Sequence, residues 1–494
     1  MRKLLILVHR YLGIVFSLLF FTWFFSGIAM IYTRGMPSLT PESRLEHLPA
    51  LGSGNIRLTP AQALTRAELG GALDAAKLLN VVNRPAYRFE SGGGFVTVFA
   101  DNGELLDVTP DVAEEAAHLF SGLNRDRVKA ADVLNNVDQW TILARRHLPL
   151  HKFVVEDALG TELYVSGTTG ETVVLTTRNG RMLAWISAIP HWLYFEGLRK
   201  NSWLWRQVIL WTSGPATIAA LIGLILGVIQ YRRKPPHIPY KGWLRWHYIT
   251  GAIFGILTVT WVFSGFLSVE PWYWATDGAM GGAQAAALQG RELDLRKFPT
   301  GLPQISAAGD MKEVEFLTIQ GNPYYRVTTS DSFPTLVSSP SMDIRHEPFS
   351  VDSIMERLLS PTPDLRVLES AVLEDYDSYY YAFDRSAPLP VLRVKFNDAE
   401  STWLYVDPRM SELVARAHRR ERINRWIYHG FHSLDFSFWY NRRPLWDIVV
   451  LTLMIGGLAS SAIGMYLGIR RLRRNARELA SLPTAAAPAH TRSA

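Results

Sequence analysis

The sequence predicts an α-helical membrane core of four transmembrane helices, built as a tandem 2+2 duplication, with two α+β domains outside the bilayer. Three observations predict it. Four uncharged, strongly apolar runs, 11–32, 208–231, 248–269 and 448–469, are each long enough to cross a hydrocarbon core of about 30 Å at 1.5 Å per residue. Between them lie two long stretches of ordinary globular composition, so a 494-residue chain that is 48% hydrophobic keeps a mean hydropathy near zero. The run HRYLGIVFSLLFFTWFFSG, from His9, returns as HYITGAIFGILTVTWVFSG, from His247, with Gly, Phe, Thr-Trp and Phe-Ser-Gly at the same offsets.

In chain order the reading is helix 1 (1–32), an outer domain (33–202), helix 2 (203–231), a short loop (232–246), helix 3 (247–269), a second outer domain (270–445), helix 4 (446–470) and a tail (471–494). Basic residues orient it. Arg2, Lys3 and Arg10 precede the first apolar run; Arg232, Arg233, Lys234, Lys241 and Arg245 fill the short loop; Arg470, Arg471, Arg473, Arg474 and Arg477 follow the fourth apolar run. The positive-inside rule places both termini and the loop in the cytoplasm and both long domains outside. The net charge of +6 comes largely from these flanks and does not indicate nucleic acid. Helix 1 is too long for a signal-peptide core and lacks a small-residue cleavage site, so it is expected to stay. The tail beyond residue 482 reads as disordered.

The duplication extends past the helices. LPLHKFVVEDALGTELYV (148–165) aligns with LPVLRVKFNDAESTWLYV (389–406), and WISAIPHWLYF (185–195) with WIYHGFHSLDF (426–436), both at an offset of 241; Gly223 and Gly227 fall on Gly464 and Gly468. Parallel repeats are related by an axis along the membrane normal. Equivalent residues then lie at equal depth, which pairs His9 with His247 at the cytoplasmic end and His191 with His432 at the outer end.

At 100° per residue, His9, Gly13, Phe16, Leu19, Trp23 and Gly27 form one stripe, matched by His247, Gly251, Phe254, Leu257, Trp261 and Gly265. Such a stripe serves either helix packing, with small residues letting backbones approach, or haem, with imidazoles as axial ligands, glycines leaving room for the macrocycle and aromatics as walls. Four histidines at two depths would make two bis-histidine sites. The chain has no cysteine, which excludes disulfides, thiolate metal sites, iron–sulfur clusters and covalent c-type haem, so any haem would be b-type. For the outer pair, His429 lies on the same helical face as His432 and is an alternative ligand; an interfacial structural role for the outer histidines stays open. Glu196, Arg199, Lys200, Arg442 and Arg443 flank this level, and the basic ones are candidates to pair with haem propionates. His147 and His151 fall in an alternating, strand-like segment and are not expected to hold a metal.

In the outer regions, LTPAQALTRAELG (58–70) reads as a helix with a Thr-Pro start. AAKLLNVVNRPAYRFE, GGFVTVFADNGELLDVT and HKFVVEDALGTELYVSGTTGETVVL read as strand runs joined by turns. No nucleophile triad, HExxH or phosphate loop occurs.

The H-R-Y-L-G helix start, the helix-then-hairpin pattern with T-x-E-L-Y-V-x-x-x-T-G-E, and the closing IGMYLGIRRLRR resemble the PepSY-associated transmembrane family over roughly residues 1–475. That family includes iron-regulated inner-membrane proteins and ferric-siderophore reductases similar to ferrioxamine reductase. The resemblance implies a bacterial inner-membrane location, PepSY-type periplasmic domains, haem b, and His9, His247, His191 and His432 as iron ligands. The second half departs from the pattern at Tyr379, Tyr380, Tyr381 and His429.

The implied activity is reduction of a periplasmic ferric siderophore, with electrons from a quinol or a cytoplasmic reductant. Trp192, Tyr194, Trp272, Tyr273, Trp274 and Trp439 are candidates to line the chelate's pocket or to anchor in lipid. The alternative is a non-enzymatic, membrane-anchored PepSY module regulating a periplasmic peptidase or another partner. A transporter ranks last, because the helices lack acids.

Overall fold

The computed structural model describes residues 1–33, 35–51, 55–272, 280–299, 311–330, 334–382, 386–440 and 442–480. Its four long helices, Arg2–Met30, Ser202–Gln230, Gly242–Leu267 and Leu445–Ala480, are long and apolar enough to cross a membrane. They pack as a bundle in which the first helix touches the second and fourth, and the third touches the same two. Small residues set the close approaches. A Cβ at Gly457 or Gly456 of the fourth helix would collide with the rings of Phe24 and Phe254. Phe24 meets Trp261 edge-to-face at 5.6 Å, packed with Leu434, Trp446 and Val450.

Outside the bundle, β1 (Ala75–Val81), β2 (Arg84–Ser91) and β3 (Gly94–Phe99) follow the helix Pro60–Ala67. That helix opens with a capping box between Thr59 and Gln62, as its Thr-Pro start foretells. The run AAKLLNVVNRPAYRFE is a hairpin, not one strand. Val82 and Asn83 take φ of 51° and 58°, the left-handed pair of a two-residue turn. Valine is a poor residue for that conformation, so the turn carries no composition signal at its first position.

The helix Pro110–Ser121 then packs on the meander β4 (Val128–Leu134), β5 (Leu150–Val155), β6 (Glu162–Ser166) and β7 (Thr172–Thr176). Ala113, Ala116 and Ala117 let the helix sit close over Phe153, Leu163 and Val165.

The second outer region contains β8 (Met311–Ile319), β9 (Asn322–Thr329), β10 (Thr335–Ser338) and β11 (Ile344–Arg345). The helix Val351–Leu359 follows, packed on β12 (Val367–Leu373), β13 (Val391–Phe396), β14 (Trp403–Asp407) and β15 (Glu412–Ala417). The β8–β9 turn, Gln320–Gly321, again has two positive φ values. Both meanders are antiparallel, and each has a bulge at the matching place, Tyr164/Val165 and Tyr405/Val406. In each a buried tyrosine hydroxyl donates to an aspartate, Tyr164 to Asp138 and Tyr405 to Asp377.

The two outer regions do not fold as separate units. β1 pairs antiparallel with β8, Leu78 opposite Val314, making one seven-stranded sheet in the order β11-β10-β9-β8-β1-β2-β3. One core serves both: Leu78, Tyr87 and Phe89 pack with Phe298, Val314, Phe316 and Tyr325. Strand pairing across some 230 residues of sequence leaves no local pattern for sequence reading to detect.

Candidate functional site

Two histidine pairs sit in and above the bundle. His9, on the first long helix, faces His247 on the third, with ring centroids 6.3 Å apart. His191 faces His432 with centroids 6.1 Å apart. The rise from residue 9 to residue 26, where His191 docks, is about 25 Å at 1.5 Å per residue, so the pairs lie near opposite ends of the bundle.

Each ring is held by its Nδ1. His9 Nδ1 donates to the Ala219 carbonyl at 2.9 Å, and His247 Nδ1 to the Ser460 carbonyl at 3.2 Å. His191 Nδ1 is 3.2 Å from both the Trp23 carbonyl and Ser26 Oγ. His432 Nδ1 is 2.9 Å from Ser264 Oγ. Both serine hydroxyls donate to helix carbonyls, of Thr22 and Trp261, so they accept from the imidazoles. A carbonyl can only accept, which fixes His9, His247 and His191 in the Nδ1–H form, and His432 shares that form with Ser264 donating to the Trp261 carbonyl. Nε2 keeps its lone pair and makes no hydrogen bond among the described residues. This is the tautomer a metal-bound imidazole takes, with its other N–H given to an outer acceptor.

A glycine lies against three of the rings, and a fourth is near. A Cβ at Gly223 would stand 2.6 Å from His9 Cε1; at Gly464, 3.2 Å from His247 Cε1; at Gly27, 3.2 Å from His191 Cε1; at Gly265, 4.0 Å from His432 Cε1. The sequence stripe assigned room-making to Gly13 and Gly251, on the histidines' own helices. A Cβ at Gly13 meets nothing within 4 Å, and at Gly251 only Ser460 Oγ at 3.9 Å. Both therefore border open space, and the contacts against the inner imidazole rings themselves come from the facing helices.

The outer histidines ride on short helical turns, Ala188–Trp192 and Phe431–Ser433, each stopped by a left-handed leucine, Leu193 and Leu434. Tryptophans of the following long helices bind the carbonyls there: Trp205 Nε1 donates to the Trp192 carbonyl, and Trp446 Nε1 to that of Leu434. Gln139 bonds the Tyr194 carbonyl and the Glu196 amide, tying the first turn to the outer sheets. The second is tied by Arg425, which donates to the Ser378 carbonyl and pairs with buried Asp435.

His429 lies in a π-helical turn, Arg425–Gly430, and its ring meets Tyr428, whose own ring stacks on His432 at 5.2 Å; the ring that faces His191 is that of His432. The flanking charges are engaged by neighbours. Arg199 lies over Tyr194 and Trp205, Lys200 pairs with Glu196, and Arg443 pairs with Asp447; Arg442 is exposed. Trp192 and Tyr194 cluster at 5.2 Å beside the outer pair, Trp439 bonds the Leu434 carbonyl, and Trp272 is 67% exposed against Phe266. Tyr273 and Trp274 lie outside the described residues.

His147 ends a 3-10 turn and His151 lies on β5. Among the described residues, no group of three or more His, Asp or Glu side chains could hold a metal ion. Each histidine pair therefore offers two ligands, and a metal there would bring its other ligands with it, as iron in a porphyrin does. Two metal–nitrogen bonds of about 2 Å and two ring half-widths of roughly 1 Å give a centroid spacing of about 6 Å, which both pairs match.

Ser26 and Ser264 were missed as functional residues. Their signal was in the repeated Phe-Ser-Gly, whose serine holds the outer imidazole and whose glycine makes room beside it. No family model and no curated protein matches the chain.

Proposed function

We propose that this chain is an inner-membrane di-haem b reductase that passes electrons across the bilayer to a periplasmic ferric siderophore and so releases Fe(II) for uptake. The observation that carries the reading is the state of four histidines: each Nδ1 held by a helix carbonyl or serine, each Nε2 free, in two pairs at bis-imidazole spacing. On this reading His9 and His247 hold the cytoplasmic-side haem, and His191 and His432 the outer one. Haem, when bound, supplies one-electron transfer between Fe(II) and Fe(III).

The chain's own residues do the rest. The carbonyls of Ala219 and Ser460 and the hydroxyls of Ser26 and Ser264 hold the tautomer and orient the rings, and the hydrogen bond raises ligand basicity. Phe24 and Trp261 pack the bundle core beside the outer pair with Leu434, Trp446 and Val450. Because Fe(II) binds hard oxygen donors less well than Fe(III), a chelate that gains one electron gives up its metal without any protein side chain taking it.

The rest of the architecture is part of the proposal: termini in the cytoplasm, outer sheets in the periplasm, descent from a duplicated half and kinship with the PepSY-associated family. The matched meanders, bulges and histidine levels support the duplication. The matched histidines also favour the reductase over a PepSY regulator on inert anchors, which has no use for them.

The test is an optical spectrum of the detergent-solubilised protein, oxidised and dithionite-reduced, with a pyridine haemochrome assay. About two haems b per chain, reoxidised by ferric siderophores, are expected. A colourless protein that takes up no haem on reconstitution would overturn the reading.

A further inference from the structure

The helix Arg178–Ile186, between β7 and the turn that carries His191, has one face built into the protein and one face bare. Its inner face holds Ala184, fully buried, and Arg181, which pairs with Glu162 and donates to Thr176 Oγ1 and the Gly160 carbonyl. Its outer face carries Met182, Leu183, Trp185 and Ile186, each 44–61% exposed, with no charge among them. Arg178 and Asn179, also exposed, occupy the first turn. The helix is polar where it begins and apolar where it ends. Large apolar side chains scattered singly are ordinary on a protein surface, but a contiguous set marks something that covers them.

The fold does not require this face. At the offset of 241, Met182 to Ile186 fall on Ile423 to Ile427 of the second half. There Arg425 is buried against Asp435, and Trp426, the counterpart of Trp185, donates to Tyr379 Oη and stacks on Phe436. Trp185 is half exposed, and its ring meets that of Phe195, itself exposed, at 6.3 Å.

Position names the occupant. Ser187, directly after the helix, accepts at 3.1 Å from Thr33, which follows the end of the first long helix. The next turn, Ala188–Trp192, packs on that long helix. The apolar end of the short helix therefore stands where the first long helix leaves the bilayer. Exposed rings mark the same boundary on its neighbours, Tyr32 just past the first long helix and Trp203 at the start of the second. Aromatic rings gather at the membrane–water interface. A helix with one polar and one apolar face lies in that interface, its apolar side sunk about 5–10 Å. The bare face is thus continuous with the lipid-facing surface of the long helices.

We infer that the helix Arg178–Ile186 is an interfacial helix whose Met182, Leu183, Trp185 and Ile186 insert into the apolar layer of the leaflet facing the outer sheets. Its first turn stays at the level of the lipid headgroups. The occupant of the bare face is phospholipid. Because Ser187 alone separates this helix from the His191 turn, the bilayer surface bears on the support of that histidine. The inference does not rest on the haem reading, and it holds whichever side of the membrane the sheets occupy.

The chain has no cysteine, so a single introduced thiol reports on its own site alone. The test is spin-labelling of Met182→Cys and Ile186→Cys in the full-length protein, in nanodiscs of phosphatidylethanolamine and phosphatidylglycerol. Ile218→Cys, exposed on the second long helix, is the lipid reference, and the free label in buffer is the aqueous one. Power saturation reads collision of each label with oxygen, which partitions into lipid, and with a water-soluble nickel chelate. An oxygen-to-nickel ratio at both sites at least about threefold above that of the free label, approaching that of Ile218→Cys, is expected. A ratio equal to that of the free label would leave the face in water, and weak collision with both reagents would place it against protein, a second copy included; either overturns the proposal. The two sites are read separately, so if one variant fails to fold the other decides.

Discussion

On the proposed di-haem reading, replacing Gly223 by alanine is expected to strip haem from the inner histidine pair while leaving the outer pair loaded. The new Cβ would stand 2.6 Å from His9 Cε1, and 3.1 Å and 3.4 Å from Nδ1 and Nε2. Ordinary carbon–carbon contact begins near 3.5 Å, so the ring must retreat by about 0.9 Å. Metal–ligand distances tolerate about 0.2 Å. His9 cannot tilt freely either, because its Nδ1 is held by the carbonyl of Ala219, one turn from Gly223 on the same helix. Gly464→Ala is the milder counterpart, with its Cβ 3.2 Å from His247 Cε1, and Gly227→Ala is the control, with nothing within 4 Å. Pyridine haemochrome ratios should fall from about two to about one per chain for Gly223→Ala, fall partly for Gly464→Ala and hold for Gly227→Ala. If Gly223→Ala keeps both haems with an unshifted reduced spectrum, His9 is not an iron ligand and the inner site is structural.

Ser26→Ala and Ser264→Ala each remove an acceptor from an outer imidazole, and should weaken haem retention at the outer site by about 10–100-fold in competition with apomyoglobin; equal retention would detach the serines from that role. Asp435→Asn leaves Arg425 charged and buried without its carboxylate, at a cost of about 3 kcal/mol, read as a large drop in melting temperature that Arg425→Met in the same chain partly restores. His147 is held well below its ordinary value, at about 4, by burial first and then by the charges of Arg146 and Arg88. Between pH 6.5 and 4 the unfolded chain therefore takes up a proton that the folded chain refuses, and stability falls as pH falls. The ring is only half-buried, so screening reduces the effect to about 1 kcal/mol, measured as the excess loss of stability from pH 7 to pH 4 in wild type over His147→Gln. Gly457→Ala should lower the melting temperature by driving a Cβ into Phe24, and Phe24→Ala in the same chain should recover part of the loss.

The sequence by itself determined what depends on local pattern and internal comparison. Length and apolarity marked the four long helices, since a bilayer-crossing helix needs an unbroken run. Alternation marked β1–β3 and β5–β7 of the first outer region, and the repeat at offsets of 238 and 241 paired His9 with His247 and His191 with His432.

Only the tertiary structure decided the contacts made between helices and across the two halves. A glycine's neighbours depend on the facing helix, so the close contact of Gly223 with the His9 ring could not be read from the stripe that carries Gly13. Simple α-helical spacing put His429 and His432 on one face and did not choose between them, whereas the fold sets the His432 ring opposite His191. Serine contacts to the outer imidazoles and the β1–β8 seam arise from residues more than 150 positions apart. Their partners are chosen by packing, on which neither periodicity nor composition carries information.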